Sequence, residues 1–202
     1  MFVKDKVGIK ELISSNINLT LDLGCGNSKH QFAIGIDKVD LDGVDLVGDV
    51  LDCLALFPDS CVQKIYCFSF FAHVDDFEKV LSEINRVLVD GGSLISYVPH
   101  FTNPFIYSDY TAKNYFGIYT FYYFAEVENQ RKRKVPNHYS SIRFKITSLK
   151  LVFDSQYLLI FLAKKLFQKL VNFNSFTQDF YEENLSSFIP CYGMLVSLKS
   201  IK

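Results

Sequence analysis

Short apolar runs, the first three closed by a glycine or an acid, punctuate the first hundred residues. After a polar leader over residues 1–16 with one helical turn, residues 18–23 predict a strand that breaks into the turn Gly24, Cys25, Gly26. Residues 33–37 predict a second strand ending in Asp37, residues 44–47 a third ending at Gly48 and Asp49, and residues 62–68 a fourth. Apolar positions 77, 80, 81, 84, 87 and 88 keep helical spacing, with Asp75 or Asp76 as N-cap and Asp90, Gly91 and Gly92 as the closing turn. Residues 93–98 predict a fifth strand, stopped by Pro99. After an irregular stretch, residues 142–153 return to alternation. Residues 157–173 predict a helix apolar nearly all round its first half, and 193–201 a last strand.

This order predicts an α/β fold: a Rossmann-like, mostly parallel sheet with helices on both faces. The length of 202 residues suits one domain, 1–202, with an aromatic-rich insertion after the fifth strand at 100–141. Ligands of such sheets bind at the carboxyl ends of the strands. That rule singles out residues 24–28, Asp37, Asp49, residues 69–73 with Ser69 and His73, and the chain from His100 onwards.

Gly24 and Gly26 let the backbone turn sharply after an apolar strand and let a ligand approach main-chain N–H groups. Asp37, at the end of the next strand, is the carboxylate that gripping both hydroxyls of a ribose requires. NAD, ATP and S-adenosylmethionine (SAM) all contain adenosine, so the rest of the ligand decides. A dinucleotide wants G-x-G-x-x-G, but Lys29 stands at the third position. About ten residues separate Gly26 from Asp37, too few for a crossover helix plus the strand, which removes the helix N-terminus a phosphate needs. No Walker-type Gly-Lys-Ser/Thr is present. SAM carries no phosphate, and Asp22 with the Gly24–Cys25–Gly26 backbone would serve its amino-acid end.

The pentapeptide Asp22, Leu23, Gly24, Cys25, Gly26 resembles the first motif of class I SAM-dependent methyltransferases. The stretch from Phe57, Pro58 and Asp59 to Gly92 resembles the next segment of small type 11-like members. There, a Phe-Pro-Asp turn leads to a strand ending near a Glu-His pair, and a helix closes with Arg-Val-Leu-x-x-Gly-Gly, here Arg86 to Gly92. The resemblance covers residues 18–125 and is best with a subgroup that has a shortened first crossover, often associated with bacterial polysaccharide loci. It implies Asp37 on the ribose and Asp49 near the adenine. In two places the chain departs from the pattern: Ala72 replaces the Glu of the Glu-His pair, and Thr111 and Ala112 stand where Thr-His is often seen.

The expected activity is methyl transfer from SAM to a small molecule or cell-surface glycan precursor, through oxygen. His100 and His73, following the fifth and fourth strands, are the candidate bases, with His100 first. Asp109 and Tyr110 would orient the acceptor, and Arg131 and Arg143 would hold a phosphate or sugar nucleotide. A non-catalytic SAM-fold binding protein is the alternative, motivated by Ala72 and Ala112. A nucleic-acid methyltransferase is weaker still: the net charge is −1, and only the run Arg131–Lys134 speaks for it.

Five cysteines without C-x-x-C or other ligand spacing predict no metal site. With no secretory leader they predict reduced thiols in the cytoplasm, with the inner face of the membrane as a variant placement. For 157–173 the expectation is burial, as a buried helix or a homodimer face, against peripheral membrane contact.

Overall fold

The computed structural model describes residues 3–15 and 18–202. The polar leader read over 1–16 therefore falls partly outside the described residues. Within it lie a two-residue strand β1 (Lys4–Asp5) and a helix α1 (Ile9–Ser15). Next come β2 (Leu19–Leu23), β3 (Ile34–Asp37), β4 (Leu46–Val47), α2 (Val50–Leu54), β5 (Val62–Phe68), α3 (Phe77–Val87) and β6 (Leu88–Pro99). The C-terminal part adds β7 (Arg143–Val152), α4 (Leu158–Val171), α5 (Ser175–Asn184) and β8 (Gly193–Ile201).

The eight strands form one sheet in the order β1-β4-β3-β2-β5-β6-β8-β7. The five from β4 to β6 run parallel, while β8 enters antiparallel between β6 and β7, and β1 pairs antiparallel with β4 at the far edge. The fold is therefore α/β with a mostly parallel, Rossmann-like sheet. In β2, Leu21, Asp22 and Leu23 are all buried, so consecutive side chains are covered on both faces of the sheet. No helix lies between β2 and β3, as the short spacing requires.

Helix α3 forms where its stripe predicts. The Asp76 side chain caps it by accepting the Lys79 N–H at 2.9 Å. Val80, Leu81, Ile84 and Val87 turn into the core. The expected closing turn at Asp90–Gly92 instead lies inside β6. Pairing with β5 jumps from Val62↔Leu88 to Lys64↔Ser93, so these residues bulge out of register, with Gly91 at φ +71°.

The aromatic stretch 100–141 contains three short 3₁₀ turns. Part of it is core: Phe77 of α3 meets the buried Phe116, Phe121 and Phe124 edge-on at centroid distances of 5.4, 5.8 and 5.7 Å, while Phe105, Tyr107, Tyr110, Tyr115 and Tyr139 are exposed. The expected burial of 157–173 is corrected. Val171 is the one buried residue of α4, while Leu158, Leu159, Leu162, Leu166 and Leu170 are exposed.

Candidate active site

A cavity of about 570 Å³ opens where the parallel strands end. Gly24 and Asp37, which close β2 and β3, line it together with Asp49 and Leu51 at the start of α2 and Ser69, Phe70 and His73 beyond β5.

Local chemistry explains how each is placed. Gly24 sits at φ +68° and donates its N–H to the Ile36 carbonyl at 2.8 Å. The Phe70 ring fills the space a Cβ would take, 2.7 Å from that ideal position. Gly26, at φ +51°, donates its N–H to Asp37 Oδ2 at 2.9 Å, and Asp37 Oδ1 accepts the Val39 N–H at 2.9 Å. Asp37 thus fastens the glycine turn to the end of β3, and each of its oxygens keeps a further lone pair for a ligand hydroxyl. Asp49 caps α2, accepting the Leu51 N–H at 2.9 Å. Ser69 has φ +56°, a left-handed conformation that costs a non-glycine residue about 1 kcal/mol or more. Its N–H donates to the Tyr97 carbonyl at 2.8 Å, and the bend lifts the 3₁₀ turn Phe71–His73 off the strand end.

The aromatic stretch contributes Lys113 to the lining. Lys113 and Asn114 donate their N–H groups to the Ala72 carbonyl at 2.7 and 3.1 Å. The Asn114 side chain donates to the carbonyls of Phe71 and Val74 at 3.0 and 2.7 Å, and Lys113 pairs with Asp75. Residues 109–114 are thereby docked on residues 71–75, against the cavity.

This docking orders His73. Thr111 Oγ1 lies 2.6 Å from Asp109 Oδ1 and 3.1 Å from His73 Nδ1. An ionised carboxylate only accepts, so the Thr111 hydroxyl gives its single proton to Asp109 and accepts from His73 Nδ1–H. His73 Nε2 is left with its lone pair, 3.9 Å from Asp109 Oδ2. The Thr111 hydroxyl and amide bonds hold the Asp109 carboxyl below the usual aspartate range.

Other predicted site residues lie elsewhere. Asp22 is buried, and its Oδ2 accepts from the His30 backbone at 2.8 Å and meets His30 Nδ1 at 3.2 Å, so it anchors the loop after the turn instead of lining the cavity. Cys25 is buried, which pushes its thiol up to about 12. Gly26 borders open space outside the cavity lining. The placement of His100 at the cavity is corrected: its ring is fully buried, with Nδ1 2.7 Å from Thr102 Oγ1 and Nε2 3.0 Å from Glu182 Oε2. Arg131 is also buried, binding Asp179 at 2.8 Å, the Ser175 carbonyl at 3.0 Å, the Tyr122 hydroxyl at 3.0 Å and Gln178. Arg143 donates to the carbonyls of Asn137, Ser140 and Ile142. Both arginines staple the chain instead of facing a phosphate. Tyr110 is almost wholly exposed.

Sequence reasoning missed Lys38, Lys79 and Lys113, all of which line the cavity alongside Asp75 and Asp76. Lys79 was accessible in principle, lying one turn beyond the N-cap Asp76. The contribution of Lys113 depends on tertiary docking alone.

The lining fits SAM. Carboxylates of Asp37 and Asp49 suit hydroxyls and an amine. Ile36, Val50, Leu51 and Phe70 offer an apolar wall for a purine, and no helix succeeds the glycine turn to favour phosphate.

Residues 21–96 match the family model described as "Methyltransferase domain". No curated protein matches the chain. Among solved structures the chain is similar to a SAM-dependent methyltransferase from Archaeoglobus fulgidus, with a TM-score of 0.61, 14% identity, and coverage of 95% of this chain and 91% of that one. It is also similar to geranyl diphosphate methyltransferase in complex with SAM, with a TM-score of 0.52 and 14% identity over 95% and 84% of the two chains. An S-adenosylmethionine-dependent methyltransferase from Mesorhizobium loti gives a TM-score of 0.50 at 12% identity, covering 94% of each chain. At these identities the structural matches establish the fold.

Proposed function

We propose, from the premise that residues 21–96 are a class I, SAM-dependent methyltransferase domain of the type 11 family, that the chain methylates a hydroxyl of a small molecule or glycan precursor, with His73 as the base. SAM supplies an electrophilic methyl group on a sulfonium, open to in-line displacement. The protein's task is to orient an acceptor and receive its proton. Asp37 and Asp49 bind the cofactor's hydroxyls and adenine edge, and Gly24 permits the close approach of the turn. At the rim, His73 Nε2 would take the proton of the acceptor hydroxyl as that oxygen is methylated. The imidazolium that results is stabilised by Asp109 Oδ2, 3.9 Å away.

The observation that carries this reading is the ordered His73–Thr111–Asp109 relay at the edge of a cavity lined by Asp37. It also favours an enzyme over a non-catalytic binding module, because a carboxylate stands beside His73 despite Ala72.

The test begins with calorimetric titration of SAM into the protein and into Asp37→Ala. Saturable binding, lost in the variant, is expected. Sugars and sugar nucleotides are then screened for S-adenosylhomocysteine release. Absence of SAM binding with and without acceptors removes the proposal, and turnover on nucleic acid alone replaces its acceptor class.

A further inference from the structure

Helix α4 is turned inside out. Three of its four polar residues face the protein: Lys164 and Lys165 donate to the carbonyls of Asp154 and Phe153 at 2.9 and 2.8 Å, and Gln168 accepts the Phe153 N–H at 2.9 Å, while Lys169 is exposed. At 100° per residue, Leu159, Leu162, Leu166 and Leu170 fall in a sector of about 80°, and Phe173 follows in the turn just beyond the helix end. That sector faces solvent, with Leu159 at 81% and Leu166 at 65% exposure, as does Phe173 at 80%. Helix α5 adds exposed Phe176 and Phe180, stacked on each other at 6.5 Å. A contiguous apolar face of this kind marks an interaction site.

Charge identifies the occupant. Between Asp154 and Asp179 the chain has three lysines and no acid. Lys132 and Arg133 share a surface cavity with Phe176 and Phe180, adding cations beside the rings. Two of the acids there are already engaged: Asp179 pairs with Arg131, and Glu182 meets His100 and accepts the Ile118 N–H. Glu183 is the exposed carboxylate that remains. Lys169 is the exposed lysine of α4, and a second copy packed there would bring no acid on its own helix to pair it.

We propose that the outer face of α4, with Phe173, Phe176 and Phe180, docks on an anionic lipid bilayer. The leucines insert at the interface and the surrounding cations meet head-group phosphates. The helix lies in the membrane plane: its 14 residues reach about 21 Å, short of a hydrocarbon core of about 30 Å. Among the described residues no helix is long and apolar enough to cross a membrane. The β7 end at Val152 is level with Gly193 and Pro99, so α4 leaves the sheet at the edge that carries the cavity. This assignment goes beyond the methyl-transfer reading and does not depend on what the cavity binds.

The experiment is flotation of the full chain with phosphatidylglycerol–phosphatidylcholine vesicles and with pure phosphatidylcholine vesicles. It is run beside the double variant Leu162→Asp, Leu166→Asp. Both substituted positions are exposed, so an unchanged melting curve reports an intact fold. Binding to anionic vesicles is expected, reduced at least about tenfold in the variant and weakened by salt. Failure of the parent protein to float, equal flotation of the variant, or equal binding to neutral vesicles overturns the proposal. So does a dimer by light scattering that the variant dissociates while vesicles stay bare, which assigns the face to a second copy.

Discussion

Alanine at Gly24 and at Gly26, one at a time, separates backbone strain from steric crowding in the turn. Both glycines have positive φ, +68° and +51°, where an L-residue costs about 1 kcal/mol. At Gly26 nothing lies within 4 Å of the added Cβ, so Gly26→Ala costs the backbone contribution alone. At Gly24 the new atom would sit 2.7 Å from Phe70 Cδ2 and 2.9 Å from Phe70 Cβ. Phe70 must then turn, or the adjoining 3₁₀ turn must shift, and overpacking of this kind adds about 1–3 kcal/mol. Gly24→Ala therefore destabilises by about 3 kcal/mol, lowering Tm by about 6–12 °C, against about 2–4 °C for Gly26→Ala. Because Phe70 lines the cavity, SAM affinity should fall further in Gly24→Ala than in Gly26→Ala. Calorimetric melts and SAM titrations of the two variants measure both quantities. Equal drops in Tm, or a larger drop at Gly26, would refute the placement of Phe70 over Gly24.

Single side chains carry the other expectations. The Arg86 guanidinium joins Glu83, Asp59 and the carbonyls of Leu54 and Phe57, so Arg86→Ala should cost about 2–3 kcal/mol in urea unfolding. Lysine has no fork to span those partners and should recover less than half of that, and full recovery would show that charge alone matters. Burial pushes the thiols of Cys25, Cys53 and Cys191 up to about 12, so they stay protonated and covered at pH 8. Half-buried Cys61 should alkylate first by mass spectrometry, and labelling of Cys25 at the same rate would contradict the turn's packing. Asp109→Asn should lower kcat about tenfold or more with little change in SAM affinity. Since the Asp109 carboxyl is depressed when folded, its contribution is present above the ordinary aspartate range and lost as pH falls through the lowered value. A variant with parental kcat would remove Asp109 from the relay.

The elements whose bounds match the reading, β5, α3 and β8, are those with one uninterrupted periodicity. Strand β1 escaped because it is two exposed polar residues whose only signal is pairing with β4. Helix α5 escaped because its buried residues are Gln178 and Tyr181 while Phe176 and Phe180 face outward, which inverts the usual stripe. The glycine turn and Asp37 were legible because local backbone geometry fixes them. The surroundings of His100 were not: its Nε2 partner, Glu182, stands 82 residues further on in α5. Arg131 shows the same limit. It opens a basic run that reads as a solvated face, yet its guanidinium is captured by Ser175, Gln178 and Asp179.

The two departures from the family pattern meet in space. Ala72 is buried, and its carbonyl receives the N–H groups of Lys113 and Asn114. A glutamate there would have to place a carboxylate in the packed contact between residues 71–75 and 112–114, where an unpaired charge is costly. Ala112 packs partly buried in the same contact. Small residues at both positions let the aromatic stretch close directly on the 3₁₀ turn, and that closure brings Thr111 and Asp109 to His73. Asp109, from a different part of the chain, is the carboxylate that stands near His73. Position-by-position comparison registers the loss at Ala72, while the gain at Asp109 depends on how 109–114 dock. The proposed role of His73 therefore rests on this docked geometry and not on the residue at position 72.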